Sequence, residues 1–399
     1  MHHGHGARRH NNPKMSSTLL PAHERALARA TRLQRAIHTL RSEGDTRGRE
    51  SAAVGTGLLI GCTPFWGTHF FLCWGAGWLL RLNRLKIYLA ANLINPLVLV
   101  PLLYAEVQTG AWLRRGKTLA LSREALAASP WQFGGDLVLG SLVVGAAVGV
   151  VGALITFAAR RPTADPFFRQ VTRRAADRYV DAGITAWEFA RGKLSGDPVY
   201  RHAVEGPLAG ATGTLVDLGC GQGLMLALVA ETQATARTGA WPIGRPPAPA
   251  FTRLVGIETR PRVAGIAARA LHDEAEIRTG DIREEGVPPA DVVLLFDVLH
   301  MVSMADQVSL LRAVRAALPP GGRVYIREAD AGAGWRFQMV RFGNRVKALV
   351  TGNWRQTFAF RTRAEWLDTL ASTGFVADVV PMGAGTPFGN VLIMATRRG

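Results

Sequence analysis

Cysteine is nearly absent from this chain. Its 399 residues include three, Cys62, Cys73 and Cys220, with no C-x-x-C pair. Neither a zinc site nor a disulfide framework is therefore expected, and a reducing compartment suits the soluble part. Acidic residues are also scarce: 30 Asp and Glu face 47 Lys and Arg, a formal charge of +17. That balance favours an anionic partner, either nucleic acid or acidic lipid headgroups. A third absence is local. No charged residue occurs in 51–80, 87–105 or 137–159. Each run approaches or exceeds the roughly 20 residues that span a bilayer, and three together argue for a membrane domain. A cleavable signal peptide is not expected, because the first long apolar run starts only after residue 50. The leader, with His2, His3, His5 and His10, is expected to be a disordered tail, and Met15 offers an alternative start.

The hydrophobic fraction, 48%, is ordinary, and the length predicts two or three domains. Residues 1–50 read as a basic segment carrying one amphipathic helix over 24–41. Leu27, Leu33, Ile37 and Leu40 share one side, and Arg25, Arg29 and Arg32 recur on another. Such a helix can lie on an anionic membrane surface or pack one face on its own protein. Residues 51–160 read as a helical membrane domain. The first run is too long for one span, and Pro64 and Gly67 in "CTPFWGTH" predict two helical pieces meeting at a break. Asn95-Pro96 predicts a second break. Gly57 with Gly61, and Gly145 with Gly149, have the small-residue spacing that lets helix backbones approach closely in lipid.

"GTGLLIGCTPFWGTHFFLCWGAGWLLRLNRLKIYLAANLINPL", residues 55–97, resembles a bacterial membrane domain family of unknown function, number 2062 in its series. The matching features are the Gly-rich opening, the Pro-Phe-x-Gly break at 64–67, Asn83 and the Asn95-Pro96-Leu97 triplet. The resemblance implies a membrane location and no known chemistry. Arg41, Arg47 and Arg49 on one flank, and Arg160, Arg161, Arg169, Arg173 and Arg174 on the other, predict that both ends face the cytoplasm. The expected location is the bacterial inner membrane. That topology leaves Arg114, Arg115 and Lys117 on the far side, against the rule.

From residue 165 onward the composition turns globular. Helices are expected over 166–209, with a loop at Gly196-Asp197-Pro198. An alternation follows: strand 214–218, helix 223–231, strand 253–257, helix 261–272, a weaker strand at 275–279, strand 291–296, helix 305–317, strand 322–327, helix 363–373, and strands 375–381 and 390–396. Thr362 with Glu365 forms a capping-box pair. Residues 232–252, rich in Pro and Gly, read as an inserted flexible loop. This alternation predicts a mostly parallel sheet of seven strands covered by helices, with ligands beyond the strand C-terminal ends.

The stretch "LVDLGCGQGLM", residues 215–225, puts Asp217 at a strand end and Gly219, Gly221 and Gly223 in the turn before a helix. Glycines there allow close approach of a ligand to backbone N–H groups. The dinucleotide fingerprint is G-x-G-x-x-G, and here the third glycine comes one place early. An acid at its head suits a cationic ligand better than a pyrophosphate. At "DLGCGQG" the sequence resembles the class I S-adenosylmethionine-dependent methyltransferases, a Rossmann-like α/β fold, over residues 180–399. The resemblance implies a set of cofactor contacts. Glu258, ending "LVGIE", would accept the ribose hydroxyls. In "TGDI", Asp281 would receive the adenine amino group and Ile282 would pack on the ring. In "DVVLLFDVLHMV", Asp297 would flank the methionine part. Cys220 is read as a small residue between two glycines of the same turn.

His300 is the leading candidate for a catalytic base, against a structural histidine within the turn; Glu328 and Asp330 follow it. Residues 189–200 stand where this family carries a lid, so Tyr179, Arg191 and Lys193 face either ligand or solvent. No N-P-P-Y or D-P-P-Y stretch follows the fourth strand, so a nucleic-acid base is not the favoured acceptor. Residues 335–358 interleave Trp335, Phe337, Phe342, Trp354 and Phe358 with arginines and a lysine, and read as a substrate cover, a membrane-facing surface or a closing helix. The expected acceptor is a hydrophobic or lipid-linked small molecule methylated at oxygen or carbon. The alternatives are a tethered RNA methyltransferase and a membrane scaffold or transport accessory that senses the cofactor.

Overall fold

The computed structural model describes residues 20–42, 46–65, 67–94, 96–119, 130–159, 165–350, 352–353, 355–383 and 386–399. The histidine-bearing leader, Trp66, Asn95, Arg160, Arg161 and Trp354 lie outside them. The chain divides into two compact units. One joins the residues up to Gln34 with Asp165–Gly399, and the other is residues 35–164.

The described helices lying wholly in the second unit are α3 (Arg47–Gly61), α4 (His69–Leu79), α5 (Arg84–Ala91), α6 (Pro96–Arg115) and α7 (Pro130–Ala159). The predicted break in the first apolar run is present, between α3 and α4. The resulting pieces are 15 and 11 residues long, below the length that crosses a bilayer as one straight helix. The run 87–105 likewise straddles α5 and α6. Among the described residues one helix, Trp131–Ala159, is long and apolar enough to cross a membrane by length and composition. The glycine pairs do what their spacing predicts. A Cβ on Gly149 would meet the Gly55 carbonyl at 2.7 Å, and one on Gly145 would meet Cys62 Cβ at 3.0 Å, so α3 and α7 touch backbone to backbone. Gly57 and Gly61 press in the same way on Ile87 and Ala91 of α5. Arg114 and Arg115, awkward for the charge rule, both pair with Asp136, which is fully buried.

The first unit opens with α1 (Ala22–Arg29), which is separate from α2 (Arg32–Ser42). The single amphipathic helix expected over 24–41 is therefore two helices, and the unit boundary falls within the second. α1 packs on its own protein. Ala26 and Ala30 are buried, and Arg29 Nε donates to Asp181 at 2.7 Å. Of the described residues before α3, those up to Gln34 group with the first unit and those from Arg35 with the second.

Three helices follow: α8 (Pro166–Asp177), α9 (Ile184–Gly196) and α10 (Pro198–Glu205). The starts of α8 and α10 have a local cause. Asp165 accepts from Phe168 N at 3.0 Å ahead of Pro166, and Asp197 accepts from Val199 N at 3.2 Å ahead of Pro198. Then come β1 (Thr212–Leu218), α11 (Leu224–Arg237), β2 (Ala250–Glu258), α12 (Pro261–Leu271), β3 (Glu276–Thr279), β4 (Val292–Phe296), α13 (Met304–Ala317), β5 (Arg323–Ala329), α14 (Trp335–Val350), α15 (Arg363–Ser372), β6 (Phe375–Pro381) and β7 (Asn390–Arg397). The seven strands run in the order β3-β2-β1-β4-β5-β7-β6, with β7 antiparallel to both neighbours.

Both faces of the sheet are covered, as its near-continuous apolar strands require. Leu215, Leu294 and Leu392 join one cluster with Val171, Trp187 and Leu228 of the helices. Val216, Val293 and Ile393 join the other with Leu311, Trp366 and Leu370. The capping box at Thr362 is formed, with both of its hydrogen bonds present. The flexible loop expected over 232–252 is a correction. α11 continues to Arg237 and β2 begins at Ala250, which leaves 238–249. That remainder is pinned: Gly210 N donates to the Pro247 carbonyl at 2.9 Å, and Arg245 pairs with Asp165 at 2.6 Å.

Candidate active site

The glycine turn lies between β1 and α11, at the centre of the sheet. Gly219, Gly221 and Gly223 have φ of 73, 57 and 72°, a region that strains any other residue. Two of the three are filled by the protein. A Cβ on Gly219 would meet Val298 Cγ2 at 2.5 Å, and one on Gly223 would meet Leu271 Cδ1 at 2.9 Å. Gly221 is different, since nothing lies within 4 Å of its Cβ position. It presents bare backbone to open space. Beneath it, Tyr179 is fully buried, and its hydroxyl donates to the Gln222 carbonyl at 2.9 Å. Tyr179 therefore braces the turn from inside.

Two buried carboxylates end the adjacent parallel strands β1 and β2. Asp217 is 5% exposed and Glu258 3%. Burial, with the Glu258 charge, pushes Asp217 up to about 7. Burial also opposes the charge of Glu258, but the Arg260 side chain, the Arg260 amide and the Gly221 amide outweigh it and hold this carboxyl below its ordinary range. The pair fits the ligand class expected from the sequence. A cation set against these acids relieves their repulsion, whereas a pyrophosphate adds to it. The Cys220 thiol is pushed up by burial and by both acids, which disfavours its thiolate.

Asp281 follows β3 and is partly exposed. The side chain and amide of Arg283 hold it below the usual carboxylate range. Ile282 is 6% exposed and belongs to the core cluster around Val216. Asp297 follows β4 with φ of 59°, and its carboxylate pairs with Arg327 and approaches Lys193 at 3.8 Å.

Beyond these residues opens a cavity of about 690 Å³, whose lining includes Lys193, Asp297, His300, Arg327, Glu328 and Phe360. His300 sits in a helical turn after β4. Its Nδ1 lies 2.8 Å from Glu328 Oε2, and its backbone N donates to Oε1 of the same carboxylate at 3.2 Å. Glu328 is 1% exposed, so this carboxylate holds the imidazole from inside the protein. The ring stacks on Phe360 at 5.0 Å and 7°. A histidine with one nitrogen fixed on a buried acid, facing a cavity, is built to take a proton. Asp330 instead accepts from the amides of Gly332 and Arg363 and does not line the cavity. Arg191 pairs with Glu188 at 3.0 Å.

Sequence reasoning missed Arg327, which is 5% exposed and bridges Asp197 to Asp297. Its signal was a charge inside the apolar strand "VYIRE". Phe360 and Arg260 were missed as well. Phe360 acts through a contact across the fold, whereas Arg260 acts on Glu258 only two residues before it.

Residues 186–376 match the family described as "Methyltransferase domain". Residues 30–163 match "Uncharacterized protein conserved in bacteria (DUF2062)". Two domains are thus matched in order along the chain, one of the bacterial uncharacterised family and then a methyltransferase domain. Among curated proteins it is similar to O-methyltransferase ZRP4 of Zea mays, 40% identical over 76 residues, covering 18% of this chain and 21% of that protein. It is also similar to the acetylserotonin O-methyltransferase of Mus musculus, 36% identical over 110 residues and 27% of each. The chain thus spans about a quarter of the length of these relatives. Among solved structures, an O-methyltransferase family protein from Burkholderia thailandensis aligns with 56% of this chain and 62% of that chain, at 16% identity and a TM-score of 0.39.

Proposed function

We propose that this protein is a membrane-associated methyltransferase that methylates a hydroxyl of a hydrophobic, lipid-borne small molecule. The observation that carries the reading is the His300–Glu328 pair at 2.8 Å on the wall of a largely apolar cavity. S-adenosylmethionine, when bound, supplies a methyl carbon on a sulfonium that departs as a neutral thioether. The residues of this chain do the rest. Gly221 would offer its backbone to the cofactor, Glu258 would exchange Arg260 for ribose hydroxyls, and Asp217 would hold the positive charge. His300 Nε2 takes the acceptor proton as the acceptor oxygen forms its new bond to carbon, and Glu328 stabilises the resulting imidazolium. The printed activity of the curated relatives supports oxygen as the methylated atom.

Two observations support the membrane part. One helix, Trp131–Ala159, passes the length and composition test. Its unit also exposes large apolar residues in number, among them Phe71, Trp78, Leu79 and Ile155. In this reading the unit sits in the bacterial inner membrane, and the basic residues flanking it in the sequence support a cytoplasmic methyltransferase domain.

The test is transfer of labelled methyl from S-adenosylmethionine into a lipid extract of a bacterial host carrying this chain. The reading expects label in an organic-soluble, base-stable ether, lost with His300→Gln. Label recovered only in RNA, or none with any extract, would sink it.

A further inference from the structure

Helix α14 is unlike the other helices of its unit. Trp335, Met339, Phe342, Val346 and Leu349 are all exposed, from 41 to 67%. Their spacing of four, three, four and three places them within about 80° of one another around the helix. The opposite side is occupied, with Phe337 packed edge-on against Phe360 at 5.1 Å and Ala348 buried. Arg336, Arg341 and Arg345 are exposed on the shoulders between the two sides. Residues 331–364 contain six arginines, one lysine and no acid. The same helix walls the cavity through Met339, Gly343 and Asn344.

We propose that α14 is a bilayer-docking helix. Its apolar face enters the headgroup boundary of an anionic phospholipid surface, while the flanking arginines bind lipid phosphates. An apolar stripe with cationic shoulders and no acid is the arrangement of a helix lying in a membrane interface. A partner protein of ordinary mixed charge would not call for thirty-four residues without a carboxylate. Because α14 also lines the cavity, docking sets that cavity beside the acyl region, where a lipophilic acceptor is dissolved. The contact is additional to the apolar helix of the other unit and is made by the methyltransferase domain itself.

The test uses the full chain in vesicles, with a nitroxide at residue 342 through Phe342→Cys. A second label, through Ala313→Cys on exposed α13, serves as the water-facing control, and the unsubstituted chain gives the background. In phosphatidylglycerol-containing vesicles the label at 342 should collide with oxygen in preference to a water-soluble nickel chelate, and the label at 313 should not. Replacing Arg336, Arg341 and Arg345 with Gln should shift docking toward the free state about fivefold per charge removed. Pure phosphatidylcholine should do likewise. Two results overturn the proposal: a label at 342 as open to the nickel chelate as that at 313, or one shielded from both reagents, which would mean protein covers the face. Neither readout depends on methyl transfer, so this proposal and the catalytic one fail separately.

Discussion

Asp217 offers a test in which protons report the ligand. Its carboxyl is pushed up to about 7 by burial and by Glu258, from an ordinary 3.8. At pH 6 such a group is about 90% neutral, and at pH 5 about 99%, by a factor of ten per pH unit. A cationic ligand beside it favours the ionised form, so binding must expel the proton. Affinity for S-adenosylmethionine should therefore rise by up to about tenfold per pH unit from pH 5 to pH 7, then level off. The ligand's own α-amino group titrates near 8, so the window below 7 belongs to the protein. Calorimetric titration at pH 6 in two buffers of different ionisation enthalpy should report close to one proton released per site. Asp217→Asn should abolish both the slope and the proton. The stability effect has the opposite sign. The folded pKa lies above the unfolded one, so the folded chain holds the proton longer, and this group lowers stability as pH rises from about 4 to about 7. The loss is at most about 4 kcal/mol. Asp217→Asn should accordingly raise the melting temperature of the ligand-free protein at pH 8. Affinity flat from pH 5 to 7, with heats independent of buffer, would refute the reasoning.

His300→Ala should lower kcat about 10²- to 10⁴-fold while leaving cofactor affinity nearly unchanged, measured by single-turnover transfer and by calorimetry. Gly219→Ala drives a methyl into Val298 at positive φ and should cost on the order of 1–3 kcal/mol in thermal unfolding. Gly221→Ala meets no protein atom, so it should cost less stability and more cofactor affinity. Trp366→Ala removes a fully buried ring from the core beside β6 and should destabilise by about 3–5 kcal/mol in denaturant titration, with no change in the pH slope of cofactor binding.

Much of the methyltransferase domain was legible because its signals are local. Strand alternation, the early third glycine, Glu258 at a strand end and the Thr362 capping box are each contained within a few residues. The breaks and glycine contacts of the preceding unit were legible for the same reason. What escaped was set by distant partners. The face of helix 22–29 was plain in the sequence, but whether it met lipid or protein depended on Asp181, 152 residues away from Arg29. Residues 232–237 looked like loop by composition, yet Thr232 and Thr235 hydroxyls bond back to the carbonyls of Leu228 and Glu231 and continue the helix. His300 stood out by position and Glu328 was named behind it as a rival base, but their pairing and the stacking partner Phe360 become visible only when β5 and the chain before α15 come together.

The central claim is that the turn at 217–223 holds a sulfonium cofactor and not a phosphate-bearing one. Equilibrium dialysis of labelled S-adenosylmethionine against the full chain in detergent tests it most directly, with excess NAD as competitor and Glu258→Ala alongside. The account predicts one cofactor per chain, undisturbed by NAD and lost in Glu258→Ala. Displacement by NAD, or full binding in Glu258→Ala, would contradict it.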